Sequence, residues 1–320
     1  MTLGGAKGSL RIYDADTISP GFLYGNLLYT SFVTKTEDGA HFIGDHTLNA
    51  SATLGLSRAF ELFLHTVPYQ DDQVNAWGPI GNSRAGIKFH VPKRGPGFHF
   101  GLVGFVSLPT GLNQNVPYES FSVDAYGWGL LAAGTIDFRN ISGTLPLKVS
   151  FNLGIRDHDW SDRYFVDGKD QLIGGVGLKF PIRSSLLYSE VSGEVFMNRE
   201  DIGFKQNFLR FTQGIKFFGP FNLVCDLGAD IELGRYQPTS ANPLQMSFIK
   251  DYADWKIIFG VTHRWHLFNR PDRQEQQKRQ RENQERDDLD TIRQKREQAA
   301  KEIEEMSKQL QKEKKREPIN

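Results

Sequence analysis

FNLVCDLGADIELG, residues 221–234, reads as two interleaved sequences. Phe221, Leu223, Cys225, Leu227, Ala229, Ile231 and Leu233 form one; Asn222, Val224, Asp226, Gly228, Asp230, Glu232 and Gly234 form the other. Successive side chains of a strand point to opposite faces, so a strand here has one apolar face and one acidic face. The stretch outruns the roughly 5–6 residues of an ordinary globular strand. It suits a tilted strand crossing a bilayer, where about 9–11 residues span the hydrocarbon.

The same alternation recurs along the chain. Leu48, Ala50, Ala52, Leu54 and Leu56 oppose Asn49, Ser51, Thr53, Gly55 and Ser57, and Leu147, Val149, Phe151, Leu153 and Ile155 oppose Lys148, Ser150, Asn152, Gly154 and Arg156. Strands are expected over 22–36, 46–57, 59–67, 83–91, 98–108, 124–138, 147–156, 171–180, 185–197, 208–217, 221–234 and 253–268. Short links at 57–58, 92–97, 139–146, 181–184 and 219–220 alternate with longer polar ones at 37–45, 66–82, 109–123, 157–170, 198–207 and 235–252. An even strand number and alternating loop lengths are the marks of bacterial membrane barrels, which have short periplasmic turns and longer outward loops. Because lipid offers no hydrogen bonds, a membrane sheet must close on itself. The expected fold is therefore an all-β transmembrane antiparallel β-barrel of about 12 strands over 21–268, with both barrel ends on the periplasmic side. A soluble β-sandwich is the alternative, and it would have to cover the apolar face of nearly every strand between two sheets.

Composition is compatible with this reading. A mean hydropathy of -0.44 looks soluble, but in a barrel the lumen residues cancel the lipid-facing ones. The balanced charge, 38 Lys+Arg against 38 Asp+Glu, gives no basic excess to hold nucleic acid. The single cysteine, Cys225, lies on an apolar face and reads as a small hydrophobe. No run of about 18 apolar residues marks a transmembrane helix. MTLGGAKGSLRIYD has no apolar secretory core, so an exported barrel is expected to be shown here in mature or truncated form.

Two terminal segments differ from the rest. Residues 1–20 are Gly-rich, then polar, and end on the turn signal Ser19-Pro20-Gly21; a place in the lumen, a cap on one end and disorder are all open for them. After Phe268, Asn269-Arg270-Pro271-Asp272 reads as a helix start. Residues 273–316 lack Gly and Pro and place Leu289, Ile292, Ala299, Ile303, Met306 and Leu310 at heptad spacing, with Glu297–Lys301 and Glu304–Lys308 pairs four apart. A charged C-terminal α-helix over 269–320 is expected, a possible coiled coil, placed in the periplasm.

From Gly21 to Phe268 the chain resembles the bacterial outer-membrane β-barrel families, and looks most like the N-terminal barrels of OmpA-like proteins. The likeness rests on the alternating strands, the alternating loop lengths and a last strand, DWKIIFGVTHRWHLF, that ends in an aromatic. Gly8–Thr17 is also similar to segments that open some such barrels. The resemblance implies residence in the outer membrane. The peptidoglycan-binding domain of that family is not visible in the tail, so its activity is not carried over.

With apolar sets facing lipid, the inward set is Glu61, Arg84, Lys88, Lys148, Arg156, Lys179, Glu190, Glu194, Arg210, Lys216, Asp226, Asp230, Glu232, Lys256 and Arg264. Those expected to line the lumen are Arg84, Lys88, Lys148, Arg156, Glu190, Glu194, Arg210, Lys216, Asp226, Asp230 and Glu232. Two readings are open: an ion-pair network filling a narrow barrel, since buried charges must be paired, or a charge-lined pore. The first function expected is a passive or weakly selective channel for small polar solutes. The alternative is a plugged structural barrel anchoring a periplasmic helix or partner, with outer-membrane lipid around it. Residues 273–316 are the candidate surface for a periplasmic protein or for self-association. No nucleophile elbow, phosphate loop or metal spacing is present, so neither catalytic residues nor cofactor nor metal is expected. A lipid hydrolase is the remote second alternative, and Asp157-His158-Asp159 is the one loop triplet with cation-binding chemistry.

Overall fold

The alternation of apolar and polar residues becomes, in a computed structural model, one continuous antiparallel ladder. The structure describes residues 1–35, 42–71, 78–91, 97–111, 116–142, 145–161, 168–234 and 252–268. Its strands are β1 (Phe22–Lys35), β2 (Phe42–Gly55), β3 (Phe60–Gln70), β4 (Ser83–His90), β5 (Phe98–Leu108) and β6 (Gly127–Asp137), then β7 (Lys148–Asp157), β8 (Gln171–Ile182), β9 (Ser185–Phe196), β10 (Phe208–Phe218), β11 (Leu223–Glu232) and β12 (Trp255–His266). Each pairs with the next, and β1 closes on β12 from Phe22↔His266 to Ser31↔Ile257. The result is a closed barrel of twelve antiparallel strands without a free sheet edge. Among the described residues the only helices are α1 (Arg139–Ser142) and a 3-10 turn at Phe204–Gln206. The C-terminal helix expected over 269–320 lies outside the described residues.

The usual distribution of side chains is inverted. Along β3, Phe60, Leu62 and Leu64 are exposed while Glu61, Phe63 and His65 are buried. On β1, Leu27 is 55% exposed and its neighbour Leu28 only 1%. Exposed apolar residues such as Leu130, Leu153, Val176, Val191, Leu227 and Phe259 lie around the wall, and Lys88, Glu190, Arg210 and Asp230 are buried inside it. In a water-soluble protein, charged residues are almost never fully buried and large apolar surfaces are covered.

Most strand ends fall within three residues of those expected, and the shifts at the second and eleventh strands have local reasons. The second strand begins at Phe42, and its pairing with β1 reaches Lys35↔Phe42. Gly44-Asp45 reads as a turn, but Asp45 is a buried inward residue whose carboxylate accepts from Lys256 Nζ at 2.9 Å. The strand at the opening stretch starts at Leu223 and ends at Glu232. Phe221 and Asn222 take φ of 56° and 60°, and Leu223 N–H donates to Pro220 O at 3.2 Å, closing a tight hairpin turn.

Candidate functional site

The inner wall is organised by register. Directly opposed residues on neighbouring strands include Glu61↔Lys88 and Lys216↔Asp226, and their side chains form ion pairs at 2.9 and 2.7 Å. Lys148↔Lys179 is different, because two like charges face each other between β7 and β8. Opposed like charges destabilise a sheet. The one wall carboxylate opposite them, Asp137 across from Lys148, is paired with Arg139, and the N-terminal segment supplies the carboxylates that bond both lysines.

Residues 1–18 run inside the barrel. Asp14 enters between the two lysines, accepting from Lys179 Nζ at 2.7 Å and from Lys148 Nζ at 3.1 Å. Asp16 accepts from Lys148 at 2.9 Å and also pairs with Lys7. The backbone of the segment is bonded to wall side chains. Glu190 accepts the N–H groups of Leu10, Arg11 and Ile12 at 3.0, 2.8 and 3.4 Å. Glu61 accepts those of Lys7 and Ile18, both at 2.8 Å. Asn152 bonds both ways with Tyr13, accepting its N–H at 2.7 Å and donating to its carbonyl at 2.9 Å. Lys216 Nζ donates to the carbonyls of Ser9 and Met1. A buried strand of irregular backbone needs partners for its polar groups, and here carboxylates and amides of the wall provide them.

Apolar contacts complete the plug. Ala6, Tyr13 and Ala15 pack with Phe63, Val103, Phe105, Leu131 and Ala133 of the inner wall. Leu10 packs with Leu28, Tyr188 and Ile258. Space for the segment is left by inward glycines: a Cβ on Gly101 would meet Ala15 O at 2.7 Å, and one on Gly177 would meet only Ile12 atoms among its nearest neighbours, at 3.3–3.5 Å. Gly177→Leu is therefore expected to displace the plug while leaving the wall intact, at a cost of about 1–3 kcal/mol. Limited trypsin should then cleave after Lys7 or Arg11 about tenfold or more faster than in the parent chain.

Cavities remain on both sides. At the short-turn end a space of about 360 Å³ is lined by Asp14, Asp16, Lys148, Lys179 and Lys216. On the long-loop side two smaller spaces, about 90 and 80 Å³, share Leu3, Arg11, Arg84, Arg156 and Phe208 as lining. These two share no lining residue with the short-turn cavity, so the plug separates them from it. The long-loop mouth is crossed by residues 116–123. Glu119 there accepts from Thr47 and Lys256, and Phe121 sits edge-on to Phe196 and His158, each at 5.0 Å between ring centroids.

The residues singled out from sequence fall into local groups along this lumen. Lys88 joins Glu61, and Lys216 joins Asp226. Lys148 joins Asp14 and Asp16. Arg210 and Arg11 share Asp230, at 3.2 and 2.6 Å. Arg156 comes within 3.6 Å of Glu194. Arg84 lies over Phe105, its Cζ 5.5 Å from the ring centroid. Glu190 holds the plug backbone, and Glu232 is half-buried near the long-loop rim, where its N–H donates to Asp254 O. Most of these charges are thus paired strand to strand or strand to plug, Arg84 being the exception.

Sequence reasoning missed the partners contributed from outside the strands, namely Lys7, Arg11, Asp14, Asp16 and Glu119. A signal was present: basic members of the inward set outnumber acidic ones, and two of them fall opposite each other. The Asp157-His158-Asp159 triplet is engaged internally. Asp157 accepts from Trp128 Nε1 at 2.9 Å, and His158 Nε2 bonds Gln171 Oε1 at 2.8 Å. Burial pushes the His158 imidazole well below its ordinary pKa, and hydrogen bonds from Ser161 and Lys169 hold the Asp159 carboxyl below the usual range. Among the described residues no group of three or more His, Cys, Asp or Glu is arranged to hold a metal ion.

No protein-family model and no curated protein sequence matches this chain. Among solved structures, the CymD monoaromatic hydrocarbon channel is similar over 79% of this chain and 90% of its own, with 9% identity and a TM-score of 0.38. A TodX mutant monoaromatic hydrocarbon channel is similar over 77% of this chain and 91% of its own, at 11% identity and a TM-score of 0.40. A mutant of the Rh. blastica porin is similar over 76% and 99%, at 8% identity and a TM-score of 0.31. Likeness at these scores does not say what this barrel does.

Proposed function

We propose that this chain is an outer-membrane β-barrel that acts as a channel for small polar solutes and is held closed by its own N-terminal segment. The observation that carries the reading is the inversion of the wall, apolar outside and charged inside, around a lumen occupied by residues 1–18. An apolar surface encircling a closed sheet is stable in lipid, where every backbone group is satisfied within the barrel. A charged lumen with cavities on both sides of a plug suits a conduit whose conducting state has the segment displaced. The density of bonds to the plug favours a second reading, a permanently filled barrel that serves as an anchor. The likeness to OmpA-like barrels, the periplasmic place of 269–320 and its role toward a protein partner or a second copy belong to this proposal too. No catalytic step is assigned.

Single-channel recording in planar bilayers tests the proposal. The full chain is expected to stay closed for long periods with discrete openings, and a version lacking residues 2–18 to stay open. Steady conduction by the full chain would contradict closure by the plug. Silence of both versions, with folded barrels inserted, would leave the anchoring reading.

A further inference from the structure

The two small cavities on the long-loop side of the plug adjoin through Leu3, Arg11, Arg84, Arg156 and Phe208, and the chamber they make up has an unusual lining. Four arginines border it: Arg11 from the plug, Arg84 from β4, Arg156 from β7 and Arg210 from β10. Three carboxylates border it as well: Asp230, Glu194 and Glu119, the last accepting from Thr47 and Lys256. Asp230 is already shared by Arg11 and Arg210, and Glu194 approaches Arg156 only to 3.6 Å, beyond hydrogen-bond length. The Arg84 guanidinium has no hydrogen bond or ion pair among the described residues and lies over the ring of Phe105.

Several donors in this chamber have no hydrogen-bond partner among the described residues. Arg156 is 4% exposed and its Nε makes no hydrogen bond; Arg210 is fully buried and its Nη2 makes none; Arg11 Nε is likewise unbonded. Buried polar groups in native proteins are satisfied, so these atoms mark a place for a partner that the described residues do not supply. A chamber of about 90 Å³ exceeds the roughly 10–15 Å³ that one water needs, so it admits several waters or a small solute. The guanidinium is a planar fork that matches an oxyanion with two parallel bonds. Phe208 lies beneath Arg11 and Arg210, with their Cζ atoms 5.0 and 5.2 Å from its centroid, and gives the chamber an apolar floor.

We propose that this chamber is a binding site for a small oxyanion, a carboxylate or a phosphate, held between Arg84 and Arg156. The inference rests on the lumen being a solute path only in that the anion must enter it, and binding can be measured without conduction. Waters alone would satisfy the same donors, so the test must separate the two.

Titration calorimetry on the full chain in non-ionic detergent at low ionic strength, with acetate and inorganic phosphate as probes, makes that separation. Saturable uptake of one anion per barrel is expected, and the tighter probe identifies the class. Arg84→Gln and Arg156→Gln should each weaken it by roughly tenfold or more, the loss of one charge-assisted contact. Arg264→Gln, at the exposed short-turn rim, should bind as the parent does. If the Gln variants fail to fold, Arg84→Lys and Arg156→Lys keep the charge and should weaken binding through loss of the fork. Heat that does not saturate with either probe, or binding unchanged in the chamber variants, would overturn the proposal and leave a water-filled space. Binding by a barrel that never conducts would keep this site and reject the channel.

Discussion

Asp14→Asn is expected to release the N-terminal segment from the barrel. The reason is the register of the wall: Lys148 and Lys179 are directly opposed, and Asp14 is the carboxylate that both of them reach. All three side chains are largely buried, with side-chain exposures of 14%, 4% and 5% for Lys148, Lys179 and Asp14. Removing one member of a buried ion cluster costs about 3–5 kcal/mol, because the remaining charges stay desolvated. With the plug out, water enters and hydrates both lysines, so the cost falls on the plugged state alone. The ratio of plugged to unplugged barrels should drop by roughly 10²–10³-fold. Faster tryptic cleavage after Arg11, together with more frequent openings in bilayers, would record it. Adding Lys179→Met removes the surplus charge and should restore much of the closure, which a double-mutant cycle quantifies. Unchanged cleavage in Asp14→Asn would mean that the cluster does not hold the plug.

Glu190→Gln should loosen the same segment by a separate route. The carboxylate accepts three successive backbone N–H groups, those of Leu10 and Ile12 on one oxygen and that of Arg11 on the other. A glutamine keeps one accepting oxygen but turns an NH2 donor toward a second N–H donor. One charge-assisted contact is lost and one buried donor is left facing another, about 1–3 kcal/mol together. That corresponds to roughly a five- to hundredfold shift toward the open barrel. The wall itself should be unharmed, because Glu190 makes its hydrogen bonds to the plug. Denaturation of the barrel at a much lower midpoint, with no change in tryptic cleavage, would contradict this assignment.

The barrel was legible because its strands obey a period of two over many residues. Once Leu223, Leu227 and Ile231 share a face, Asp226 and Asp230 must share the other, and closure follows from the lack of any polar residue to cover an edge in lipid. The same period of two tells which side chains share a face with Asp226 and Asp230. Their partners were not legible in this way. Lys7, Arg11, Asp14 and Asp16 belong to an irregular segment whose path depends on contacts far along the chain, such as Arg11 with Asp230 and Asp14 with Lys179. Glu119 belongs to a loop and meets Lys256 only after the barrel closes. Local propensity carries no trace of such pairings. Glycine weakens a strand interior, and the close approach of Ile12 to Gly175 and Gly177 is the physical reason for glycine at both.

The central claim, that the N-terminal segment occupies the lumen, is tested most directly by a covalent link. A Cβ at Gly177 lies 3.3 Å from Ile12 Cβ, near the about 3.8 Å typical of disulfides. The variant Ile12→Cys, Gly177→Cys, with Cys225→Ser so that no other thiol remains, should oxidise to one intramolecular bridge in the folded barrel. The bridged form should resist trypsin at Arg11 and stay closed in a bilayer until a reductant is added. Two free thiols, each labelled at full rate by a small water-soluble reagent in a folded barrel, would place the segment outside the lumen and contradict the account.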